Sequence, residues 1–178
     1  GNSVYNTQTI TVPSGVNGIY VTANEGANAN SVIINNFIGG QSASCGGAAF
    51  ELNGSSTFTG ISAITASGSA ATSIEVQGNT IQNINLPNMG FRGIYGVNYH
   101  NSGTINIGTT SGNTIGHAST PNSIVTGANT ASSGVILVYA VYATTHQINV
   151  GATNGSVGNL IANITQTSTG TAATLRGI

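Results

Sequence analysis

This chain contains no aspartate and no lysine, and its charged residues are Glu25, Glu51, Glu75, Arg92 and Arg176, only 3% of the sequence. Globular proteins carry roughly 25% of such residues, so the surface here has to be built from Asn, Ser, Thr, Gln and Gly. Two scattered arginines cannot lay down a phosphate-tracking stripe, which excludes a nucleic-acid partner. The same shortage excludes attraction to an anionic membrane surface. The longest apolar run, Val135 to Ala143, falls well short of the ~20 residues that a spanning helix needs. Cys45 is alone, so it has no internal disulfide partner and reads as an inert buried thiol. The three prolines, Pro13, Pro87 and Pro121, all fall between candidate strands, where no ladder hydrogen bond is lost. With a formal net charge of −1, electrostatic repulsion does little to keep molecules apart, and self-association is the expectation.

What the chain does have is 39% hydrophobic residues and 26 glycines in 178 positions. No stretch sustains a helical stripe, whereas short alternating runs separated by Gly, Ser, Thr and Asn clusters recur throughout. The strands expected are Gly18–Val21, Val32–Asn36, Ala48–Leu52, Ile61–Thr65, Ile74–Gln77, Gly93–Asn98, Ile105–Ile107, Ser123–Val125, Val135–Tyr142, Ile148–Val150, Leu160–Ile164 and Thr174–Ile178.

The strands repeat. In Ser73 to Ile84, two apolar alternations flank Gly78-Asn79, a pair suited to positive backbone angles. The same bend returns at Asn36, Asn113 and Asn159, with spacings of 43, 34 and 46 residues. A second marker, a glycine opening an apolar strand, occurs at Gly18, Gly60, Gly93, Gly134 and Gly177, spaced 42, 33, 41 and 43. Together they define a unit of about 35 to 45 residues, read as two coils of a solenoid with variable loops. Thr109-Thr110-Ser111 and Ala152-Thr153-Asn154-Gly155 lengthen the path between strand and bend.

Through these Asn-x-Ile bends and Gly-Ile strand starts the chain resembles the right-handed parallel β-helix repeats of large secreted bacterial surface and adhesin-type proteins, an architecture shared with pectate-lyase-like enzymes. The resemblance implies an all-β fold, one β-solenoid segment over residues 1–178, with inward Ile and Val columns and a ladder of paired carboxamides at Asn36, Asn79, Asn113 and Asn159. A β-sandwich is the alternative that short, regularly spaced strands also allow.

The resemblance also implies what a catalytic relative would use: acidic residues to hold Ca²⁺ with a Lys or Arg base in lyases, clustered Asp or Glu in hydrolases. This chain lacks Asp and Lys, and Glu51 and Glu75, 24 residues apart, would pair only if they met on successive coils. Arg92 and Arg176 occupy matching Arg-Gly-Ile positions, which points to a structural role. His100, His117 and His146 lie far apart with no acid or Cys at metal-ligand spacing. No enzyme activity, metal or cofactor is expected. Carbohydrate binding is the second reading: if Ile19 and Ile94 point inward, Tyr20 and Tyr95 point outward, and Tyr99, Tyr139 and Tyr142 add rings suited to stacking on surface glycans. Thr9-Ile10-Thr11 and Thr57-Phe58-Thr59 have the local form of an ice-binding row but do not recur at one repeat position. Asn53, Asn154 and Asn163 head N-glycosylation patterns that a chain so rich in Asn, Ser and Thr contains by chance.

The chain opens on Gly1 with neither an initiator Met nor a signal pattern, so a mature product or an excised piece is expected. Leu175 to Ile178 restarts the pattern of Phe91 to Ile94, and Asn17 to Tyr20 resembles what should follow. The expectation is a structural or adhesive protein outside the cell or on its surface, whose partner is itself: a longer repeat array, or a subunit stacking head to tail into a stalk or filament.

Overall fold

A computed structural model describes residues 1–23, 29–66, 72–99, 103–127, 133–140, 147–153, 155–167 and 175–177. The first circuit of the chain holds β1 (Ser3–Val4), β2 (Ile10–Thr11), β3 (Val16–Ala23) and β4 (Ala29–Ile34). The second holds β5 (Phe37–Ile38), a 3-10 turn at Ala43–Cys45, β6 (Phe50–Asn53), β7 (Thr57–Thr65) and β8 (Thr72–Gln77). The third runs through β9 (Thr80–Ile81), β10 (Ile84–Leu86), β11 (Gly90–Asn98) and β12 (Thr104–Ile107). The fourth comprises β13 (Thr114–Gly116), β14 (Ile124–Thr126), β15 (Ser133–Ala140) and β16 (Gln147–Val150). The fifth begins with β17 (Leu160–Ala162), β18 (Ile164–Gln166) and β19 (Leu175–Arg176).

Every fourth strand pairs. The first sheet is β1-β5-β9-β13-β17, the second β2-β6-β10-β14-β18, the third β3-β7-β11-β15-β19 and the fourth β4-β8-β12-β16. All pairings between these strands are parallel, for example Ile38 to Ile81 and Ile74 to Ile105. The molecule is therefore all-β with stacked parallel sheets, an arrangement compatible with a β-helix. A β-sandwich, built of antiparallel strands, does not describe it.

The repeat expected from the sequence needs a correction. One unit is a single circuit through four sheets, because strands one unit apart are direct hydrogen-bonded neighbours; it is not a pair of coils. Strand boundaries differ too. β1, β2, β5, β9, β10 and β13, of two or three residues each, carry too little alternation to be placed from the sequence, whereas β14, β17, β18 and β19 fall on the expected Ser123–Val125, Leu160–Ile164 and Thr174–Ile178. Leu160–Ile164 is two strands broken at Asn163, whose φ of 54° turns the chain from the first sheet to the second. Val32–Asn36 ends early for the same reason, at Asn35 with φ 55°.

Inward positions stack by type. Ile38, Ile81 and Ile115 form one column, Ile61, Ile94 and Ile136 another, and Phe58 lies over Phe91 with ring centroids 6.5 Å apart. Nearly all of these side chains are fully buried. Each circuit alone has too little apolar surface to hold a core, and stacking joins the columns into one. The third sheet explains the glycine marker. A Cβ on Gly18 would lie 2.7 Å from the Gly60 carbonyl oxygen, on Gly60 2.7 Å from that of Gly93, and on Gly93 2.5 Å from that of Val135. These glycines let the backbone close over the Ile38, Ile81 and Ile115 side chains beneath. Gly134 does not belong to this column: it pairs with Arg92, and Val135 takes the glycine position in the fourth circuit.

Candidate functional site

The bend between the fourth and first sheets turns on an asparagine in every described circuit. The main-chain N–H and Nδ2 of Asn36 both donate to Oδ1 of Asn79 at 3.0 Å. Asn79 does the same to Asn113 at 3.0 and 2.9 Å, and Asn113 to Asn159 at 2.9 Å twice. The remaining Nδ2 protons of Asn79, Asn113 and Asn159 go to the carbonyls of Ile33, Val76 and Ile107 in the preceding circuit. Asn79 and Asn113 are wholly buried. Asn2, which sequence reasoning missed, is the first rung, donating to Asn36 Oδ1 through its N–H at 3.0 Å and its Nδ2 at 3.3 Å. Its signal was present: Asn2 lies 34 residues before Asn36 and precedes Ser3-Val4 as the other rungs precede their strands.

Among the described side chains, the tyrosines do not make one platform. Tyr20 is exposed, and Tyr95 stands in the same row of the third sheet two strands away, with the buried Ser62 between them. The Arg92 guanidinium carbon sits 4.9 Å over the Tyr95 ring centre, occupying the face a sugar would stack on. Tyr99 follows β11 and is exposed. Tyr139 lies on β15, and Tyr142 lies outside the described residues.

Glu51 and Glu75 fall on different sheets, the second and the fourth, so they share no groove. Glu51 accepts from Thr9 Oγ1 at 2.6 Å and Asn85 Nδ2 at 3.1 Å. Glu75 accepts from Asn106 Nδ2 at 2.6 Å and Gln77 Nε2 at 2.9 Å. A circuit is longer than the 24 residues between them, so they do not meet on successive circuits. Glu25, His100 and His146 lie outside the described residues. Among the described residues no three metal-ligating side chains cluster, and no helix is long and apolar enough to cross a membrane. Arg92 and Arg176 do occupy one row, each paired with Gly134.

Burial raises the Cys45 thiol to about 11, so the nucleophilic thiolate is scarce near neutrality. His117 Nδ1 accepts the main-chain N–H groups of Ser119 and Thr120 at 3.2 and 3.0 Å, which leaves the ring proton on Nε2. The two residues border a cavity of about 380 Å³ between the corner loops that follow β5 and β13. The Thr9 and Thr57 motifs start on different sheets, and Thr59 is buried, so no flat threonine row forms. Asn163 has its Nδ2 tied to the His117 and Ala118 carbonyls, and Asn53 accepts from Asn88; Asn154 lies outside the described residues.

The fourth sheet presents outward a row that pairs Val32, Glu75, Asn106 and Asn149. Asn149 Nδ2 donates to Asn106 Oδ1 at 2.8 Å, continuing the chain of bonds from Glu75. Beside the row, the bend lengthens from circuit to circuit: the ladder asparagine comes three residues after Ile33 and Val76, six after Ile107 and nine after Val150. Gln77 holds the longer turn in place, its Oε1 accepting the N–H groups of Thr110 and Ser111. The result is two adjoining cavities, of about 660 and 360 Å³, that share Glu75 and Thr110.

No protein-family model, curated protein or solved structure matches this chain.

Proposed function

We propose that this chain is a structural, adhesive-type segment of an extracellular or cell-surface stalk or filament, built as a right-handed parallel β-helix and working without catalysis or cofactor. The handedness follows from the strong preference of crossovers between parallel strands. The carrying observation is the asparagine ladder. Each rung offers Oδ1 to the circuit before it and donors to the circuit after it, and the pattern repeats from Asn2 to Asn159. Because each rung presents the same acceptor on one side and the same donors on the other, every rung is complementary to the next. A further circuit, from the same polypeptide or from another copy, would extend the ladder by the same bonds. A surface of neutral amides and hydroxyls places almost no repulsion in the way of that contact.

The lack of catalytic machinery in this reading is supported by the separation of Glu51 from Glu75 and by the bonding of each to neutral partners. Electron microscopy of the native protein tests the proposal. The expected image is a rod one circuit wide and much longer than five stacked strands, which span about 20 Å at a strand spacing of roughly 4.8 Å. Free particles no longer than five circuits would overturn it.

A further inference from the structure

We propose that the outward face of the fourth sheet is a binding trough for an uncharged polysaccharide chain lying parallel to the stacking direction. The trough is the pair of adjoining cavities that meet at Glu75 and Thr110. Its floor is the row Val32, Glu75, Asn106, Asn149, and its wall is formed by the lengthened turns at Thr109–Ser111 and Gly151–Thr153.

Three properties select the ligand. The first is charge: the lining holds one carboxylate and no cation, so a polyanion meets repulsion with nothing to offset it. The second is hydrogen bonding. Carboxamides and hydroxyls both donate and accept, as sugar hydroxyls do, and here they recur at the strand spacing of about 4.8 Å, which suits a polymer with a regular repeat. Glu75 is already held by Asn106 and Gln77, and Asn106 by Asn149, so the row is aligned before anything binds. The third is the end at Val32 and Ile34, both exposed at 58% and 44%; an apolar patch next to polar groups matches the alternating C–H and O–H faces of a pyranose ring. A protein strand is a poor fit, because β8 and β12 are paired on both sides and offer no edge.

This site is distinct from the exposed tyrosines of the third sheet and does not depend on whether the circuits continue. Isothermal titration and NMR shift mapping with cello-, xylo-, manno- and malto-oligosaccharides test it, with polygalacturonate as the anionic probe. One neutral series is expected to bind. Asn149→Leu, at an exposed position, should then weaken binding roughly tenfold by removing one hydrogen-bonding group. Val32→Glu at the other end should weaken it too, and Tyr20→Ala should leave it unchanged. Far-UV circular dichroism confirms that each variant keeps its sheet content. The proposal is overturned if no neutral series binds at millimolar concentration, if polygalacturonate binds more tightly, or if Asn149→Leu has no effect.

Discussion

A carboxamide has two N–H donors and an oxygen with two lone pairs, and Asn79 uses all four. Its donors go to Ile33 and Asn113, and its oxygen takes both protons offered by Asn36. No other side chain of that size fills these roles in a site closed to water. Aspartate lacks the donors, and serine lacks the reach. Asn79→Ala therefore orphans groups on two neighbouring circuits, and the expected loss is roughly 3 kcal/mol or more, since each buried unsatisfied group costs about 1–3 kcal/mol. Asn149→Ala, on the exposed outer row, should stay within about 0.5 kcal/mol. Urea denaturation of the two variants side by side measures the contrast.

At the scale of strands, what the sequence discloses depends on how many residues report each feature. The ladder was legible because each rung needs a carboxamide just ahead of a first-sheet strand, so Asn stands out at 36, 79, 113 and 159 against apolar neighbours; the αL geometry of these bends belongs to other residues, Asn35, Gly78, Gly108 and Gly151. The two-residue strands of the first sheet were not legible, since Phe37–Ile38 and Thr80–Ile81 show no alternation, whereas β17 falls within the expected Leu160–Ile164. The glycine marker was legible up to the fourth circuit, where Gly134 lies one register away from the column it seemed to join. The outer row was written as Ile74-Glu75-Val76, Ile105-Asn106-Ile107 and Ile148-Asn149-Val150, three strands with a polar residue at the centre. Its meaning as a surface required knowing that one repeat is one circuit, which makes those three residues immediate neighbours.

The glycine column gives a prediction at this scale. Gly93→Ala forces a methyl group against the Val135 carbonyl and the Ile115 side chain. Both belong to the next circuit's backbone or core, so neither yields without shifting a strand. The cost expected is about 1–3 kcal/mol, as for overpacking elsewhere. Gly177→Ala has nothing within 4 Å of its added methyl and serves as the control, with thermal unfolding as the readout.

For the molecule as a whole, the small number of charges decides how it responds to its surroundings. Cohesion rests on stacked Ile and Phe columns and on amide networks, and the described carboxylates bond to neutral partners. Screening by salt has little to act on, since even at 0.15 M the Debye length of about 8 Å only weakens interactions between charges. The urea midpoint is expected to be the same at low and high sodium chloride concentration. A clear dependence on sodium chloride would mean that charge pairs contribute where neutral packing is argued to suffice.

The direction of the hydrogen bonds has a mechanical consequence. Every strand pairs only with strands of the circuits above and below it, so the main-chain bonds between strands and the Asn2-to-Asn159 ladder run along the stacking direction. A pull on the two ends loads these bonds in tension, one layer at a time, instead of shearing a whole sheet at once. Such a stack opens layer by layer, like a zip, and sideways bending loads the same bonds in tension on its convex side.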